Sequence, residues 1–156
     1  MKLFVTFFKV GLSPKAPGTF GTLAAVPLAF LLMNISSFVH MGFILVLTPL
    51  AIWACEKYEQ QVGKHDLPEI VIDEVVGFLL TMVWLPVTWQ SFVLGFVLFR
   101  LLDIFKPFPI SVLDKKVPGG VGVMIDDIAA GLIANVFLQV LYTKTNWLGV
   151  QIITSG

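Results

Sequence analysis

No Lys, Arg, Asp or Glu occurs from residue 16 to 55, from 75 to 99, or from 128 to 143. Uncharged runs of that length constrain the fold more than any other feature, because a membrane-spanning helix needs about 20 apolar residues, within a range of about 17–25. The first run holds two spans, 18–33 and 39–55, hinged at the polar Asn34-Ile35-Ser36-Ser37 segment. The second holds two more, 71–85 and 91–105, separated by Pro86-Val87-Thr88-Trp89-Gln90. The third belongs to a fifth span, 121–142. Lipid offers no partner to an open sheet edge, so helices are the expected form. The expected fold is therefore all-α: a single domain over 1–156, built as a multihelical integral-membrane bundle with about five spanning or partly embedded helices. Spans one and three are short enough to be only partly immersed. Pro27 is expected to bend span one by freeing the Leu23 carbonyl.

Composition agrees. Hydrophobic residues make up 57% of the chain and charged ones 13%, about half the usual charged share, and the mean hydropathy is +0.92. Net charge is zero, so no basic patch points to nucleic acid, and no protein partner is evident. Cys55 is the single cysteine; it excludes an internal disulfide and reads as a small buried hydrophobe. The apolar N-terminal stretch is interrupted by Lys9, too early for a signal-peptide core, so no cleaved leader is expected.

Five alternating spans put the N-terminal segment, the 56–70 loop and the 106–119 loop on one side. Lys2, Lys9, Lys15, Lys57, Lys64, Arg100, Lys106, Lys115 and Lys116 fall on that side, and Lys144 alone on the other. The positive-inside rule makes the charged side cytoplasmic. Every acidic residue falls there too. Trp53, Trp84, Trp89 and Trp147 lie near expected span ends, where aromatic rings anchor at the interface.

Three spans bring acids to this edge: Asp73 and Glu74 open the third, Asp103 closes the fourth, and Asp126 and Asp127 open the fifth. At i, i+4 spacing Asp73 shares a face with Gly77 and Thr81, Asp127 with Gly131 and Asn135, Asp126 with Ala130 and Ala134, and Asp103 with Phe99 and Gly95. Small residues let membrane helices approach closely, which would draw the carboxylates together. Crowded carboxylates take up protons unless a cation sits among them. An oxygen-only donor set with no clustered Cys or His points to Mg2+ or Mn2+. Capping of a helix start by Asp126 and Asp127 is the plainer alternative. Asn135, in mid-span, is expected to bond between helices.

The same side carries groups suited to phosphate. The segment 11–22 leads into span one with Ser13, Lys15, Thr19 and Thr22 among flexible glycines, and a helix N-terminus favours anions; an ordinary Pro/Gly loop with a hydroxyl cap would look the same. Arg100 and Lys106 can each neutralise phosphate oxygens, or Arg100 can simply pair with Asp103. Gly119, Gly120 and Gly122 can form a backbone anion nest or act as hinges. His65 and Asp66 are weaker candidates, His65 as a proton shuttle.

The blocks Gly-Leu-Ser-Pro-Lys-Ala-Pro-Gly-Thr-Phe-Gly-Thr-Leu (11–23), His-Asp (65–66) with Ile-Val-Ile-Asp-Glu-Val-Val-Gly (70–77), Phe-Arg-Leu-Leu-Asp-Ile-Phe-Lys-Pro-Phe-Pro-Ile (99–110) and Gly-Gly-Val-Gly-Val-Met-Ile-Asp-Asp-Ile-Ala-Ala-Gly (119–131) resemble the phosphatidylglycerophosphatase A family. They stand in the family's order and cover most of the chain. The resemblance implies a Mg2+-dependent phosphatase of the bacterial inner membrane that converts phosphatidylglycerophosphate to phosphatidylglycerol among the membrane lipids. The expected roles follow: Asp73, Glu74, Asp103, Asp126 and Asp127 as metal ligands with one left as base, and Lys15, Arg100 and Lys106 offsetting phosphoryl charge. A divalent-cation transporter or channel is the competing expectation, since membrane acids often mark ion pathways.

Overall fold

Helices follow the uncharged runs of the sequence, but not all of them reach the expected length. The computed structural model describes residues 1–64, 67–117 and 119–149. Within them lie α1 (Lys2–Val5), a 3-10 turn (Val10–Leu12), α2 (Pro17–Ile35), α3 (Ser37–Val62), α4 (Ile72–Thr81), α5 (Trp89–Phe105), α6 (Ile110–Lys116) and α7 (Gly119–Lys144). No strand occurs among the described residues, and the fold is all-α. Helices α2, α3 and α7 are long and apolar enough to cross a membrane, which associates the protein with one. At 17 residues, α5 extends about 26 Å, close to the hydrocarbon thickness of about 30 Å.

The third expected span is shorter than its apolar run. α4 has 10 residues, about 15 Å of helix and half a bilayer core. It stops because Trp84 takes a left-handed backbone (φ 57) and Pro86 disfavours helix at the residue before it. Ending a helix at that depth exposes carbonyls that lipid cannot satisfy. α7 satisfies them: the Asn135 amide donates to the carbonyls of Thr81 (2.9 Å) and Val83 (2.8 Å), and Gln139 donates to Val83 at 3.0 Å. The interhelical bonding expected of Asn135 is thus a cap on a broken helix.

α4 is also the centre of the bundle. Ile72, Val75, Val76, Gly77, Phe78, Leu79 and Thr81 are buried, and α2, α3, α5 and α7 all pack on it. Its crossing with α7 is backbone on backbone. A Cβ added at Gly77 would lie 2.7 Å from both the Asp127 carbonyl oxygen and the Phe99 ring, and one at Gly131 would collide with the Gly77 carbonyl.

Other boundaries moved as well. α2 runs unbroken through Pro27. α3 continues beyond residue 55 to Val62, and α6 occupies part of the expected 106–119 loop. Gly119, Gly120 and Gly122 form the start of α7 rather than a separate nest; an added Cβ at Gly120 would meet the Ile52 carbonyl of α3, so this glycine is there for packing. Trp84, Trp89 and Trp147 are exposed, at the end of the bundle away from the acids.

Candidate active site

The N-termini of α2, α4 and α7 and the C-terminus of α5 meet at one end of the bundle, around a cavity of about 420 Å3. Asp73 and Glu74 stand in the first turn of α4, where the helix dipole favours negative charge. Asp103 comes from the last turn of α5, and Asp126 and Asp127 from the third turn of α7. All five line the cavity with Arg100 and Lys106. The first turn of α2 (Pro17, Gly18) and the segment Leu67, Pro68 and Ile70 complete the wall.

The carboxylates fall into two sets. Asp73, Glu74 and Asp127 can bring one oxygen each to within 4.8 Å of one another, and so can Asp103, Asp126 and Asp127. Asp127 belongs to both. It is 3% exposed, and its Oδ1 is buried without a hydrogen-bond partner among the described residues, as is Glu74 Oε2. An uncompensated buried carboxylate costs several kcal/mol, so oxygens left in this state take up either a proton or a cation. Oxygen-only donors at this spacing fit Mg2+ or Mn2+.

Each cation of the site is itself held by an acid. Arg100 pairs with Asp103, lies 3.9 Å from Glu74, and its Nη2 donates to the Thr19 hydroxyl at 3.4 Å. Lys106 Nζ lies 2.6 Å from Asp126 Oδ2. Arg100 therefore pairs with Asp103, and it also lines the cavity.

The 11–22 segment is divided by the fold. Thr19 anchors Arg100. Thr22 is fully buried and its hydroxyl donates to the Gly18 carbonyl at 2.9 Å. The Ser13 hydroxyl donates to the Lys15 carbonyl, and Lys15 is exposed; neither lines the cavity. α2 starts from Ala16 with no side-chain cap, so the loop-with-hydroxyl-cap alternative is not what forms. His65 and Asp66 lie outside the described residues.

Two features of the site are not legible in the sequence. Gly18 allows contact rather than flexibility: a Cβ there would run into Glu74 Oε1 and come 3.1 Å from Arg100 Nη1. The 67–70 wall is pinned from behind by Glu69, which accepts from the Tyr58 hydroxyl and pairs with Lys2 at 3.3 Å. The Tyr58 hydrogen bond, with Lys2 assisting, holds the Glu69 carboxyl below its ordinary range. The first glycine was visible only as part of a Pro-Gly-Thr run, and nothing in the spacing of Lys2, Tyr58 and Glu69 marks them as neighbours.

Comparison with known proteins identifies the family. A model of the family described as "Phosphatidylglycerophosphatase A" matches residues 3–142. A relative named "Phosphatidylglycerophosphatase A" in Escherichia coli is 40% identical over 133 residues, covering 85% of this chain and 77% of its own length. One of the same name in Haemophilus influenzae is 37% identical, covering 85% of this chain and 82% of its own. A "Putative phosphatidylinositol-3-phosphatase" of Bacteroides thetaiotaomicron is 36% identical over 88% of this chain and 91% of its own. No solved structure matches the chain.

Proposed function

The chain belongs to the phosphatidylglycerophosphatase A family, and from that premise we propose that it is a Mg2+-dependent phosphoric monoester hydrolase that converts phosphatidylglycerophosphate to phosphatidylglycerol. The observation that carries this reading is the convergence of five carboxylates with Arg100 and Lys106 on one cavity at one end of an apolar bundle. A lipid phosphomonoester presents its reacting group at that level of the membrane, with its acyl chains among the exposed apolar faces. The active end faces the cytoplasm of a bacterial inner membrane, in accord with nine of ten basic residues on that side.

Mg2+ among the carboxylates would supply a Lewis acid for the phosphoryl oxygens and a lowered pKa for a bound water. Arg100, oriented by Asp103 and Thr19, and Lys106, oriented by Asp126, offset charge on the equatorial oxygens. The uncapped first turn of α2 adds backbone dipole beside them. A carboxylate left off the metal takes the proton of the attacking water.

A cation transporter or channel is not favoured. The acids stop at one edge, no ionisable Lys, Arg, Asp or Glu follows in 75–99 or 128–143, and Phe78, Leu79 and Phe99 close the interior beyond the Gly77–Gly131 crossing. The test is phosphate release by the purified protein in nanodiscs. Phosphatidylglycerophosphate should be hydrolysed, EDTA should stop the reaction and Mg2+ should restore it. Hydrolysis of phosphatidylinositol 3-phosphate alone, or full activity in EDTA, would overturn the substrate or the metal respectively.

A further inference from the structure

Resting on that reading, we infer that the cavity holds two divalent ions that share the Asp127 carboxylate. The five acids form two sets rather than one ring: Asp73 and Glu74 group with Asp127, and so, separately, do Asp103 and Asp126. Asp127 is the common member, and its Oδ1 is buried with no hydrogen-bond partner among the described residues, as expected of an oxygen whose partner is not part of the chain.

Charge decides between one ion and two. Five carboxylates against Arg100 and Lys106 leave three negative charges around the cavity. One divalent ion would leave it still negative by one, repelling the phosphomonoester dianion it has to bind. Two leave a surplus of one positive charge, which attracts that dianion. The ion pairs of Asp103 with Arg100 and of Asp126 with Lys106 do not block the second position, because a carboxylate has two oxygens and about four lone-pair sites. Two ions held by these carboxylates would supply Lewis acidity to a phosphoryl group in the cavity.

Mn2+ titration of the metal-free full chain in nanodiscs, by calorimetry and low-temperature electron paramagnetic resonance, tests this without any turnover measurement. The expected result is two ions per chain with an exchange-coupled spectrum, and one ion with an uncoupled spectrum in Asp103→Asn. A single uncoupled ion in the unmodified protein would overturn the two-ion site while leaving a one-ion phosphatase intact. No bound Mn2+ would overturn both. The spectrum of the unmodified protein decides even if Asp103→Asn fails to fold.

Discussion

The Gly77→Ala variant separates what holds the helices together from what holds the site together. The added methyl would lie 2.7 Å from the Asp127 carbonyl oxygen and from the Phe99 ring. Non-bonded heavy atoms prefer about 3.5 Å or more, so α4 and α7 must part by roughly 0.8 Å. Two stability terms oppose each other. Alanine is favoured over glycine within a helix by about 1 kcal/mol, and overpacking costs about 1–3 kcal/mol. The net loss of about 0–2 kcal/mol leaves a folded protein. The site is less forgiving, because metal–ligand distances hold within about 0.2 Å and the shift moves Asp73 and Glu74 away from Asp127. Mn2+ affinity should fall about 10-fold or more, and phosphate release from lipid with it, while thermal unfolding changes little. Gly42→Ala, where an added methyl meets open space, is the control and should bind Mn2+ normally. If Gly77→Ala also binds Mn2+ as tightly as the unmodified protein, close helix approach does not set the ligand geometry.

Asp127→Asn should abolish turnover and Mn2+ binding while the protein stays folded; retained Mg2+-dependent hydrolysis would count against a metal role. In Arg100→Lys the guanidinium fork is lost between Asp103, Glu74 and Thr19. At about 1.5–3 kcal/mol for hydrogen bonds to charged groups, kcat/KM should fall about 10- to 150-fold, and an unchanged value would refute the role of that geometry. Asn135→Leu strips two capping bonds from the end of α4. It should lower the unfolding free energy in denaturant by about 1–2 kcal/mol, given about 0.6 and at most about 1.7 per interhelical bond in membranes, and unaltered stability would show the cap to be idle.

The placement of the acids was legible because charge avoids lipid. Uncharged runs fixed how often the chain turns, and turning placed Asp73, Asp103 and Asp127 at one end. Helical spacing also marked Gly77 and Gly131 on the faces of Asp73 and Asp127, and these are where α4 and α7 cross. The length of α4 was not legible, because an apolar run reads the same whether it spans lipid or is buried inside protein. Only the positive φ at Trp84 and the capping by Asn135 and Gln139 distinguish the two. The hydroxyls of the 11–22 segment were equally ambiguous: Thr19 and Thr22 are three residues apart, yet one holds Arg100 and the other its own helix.

The sequence by itself determined the solvent of this protein, the helical class and the shared level of its acids, since all three follow from the cost of placing charge and unpaired backbone in hydrocarbon. Tertiary structure decided which acids become neighbours, which cations they hold and which loop residues take part. Those outcomes depend on approaches of a few ångströms between helices distant in the chain, and no local pattern of residues encodes them.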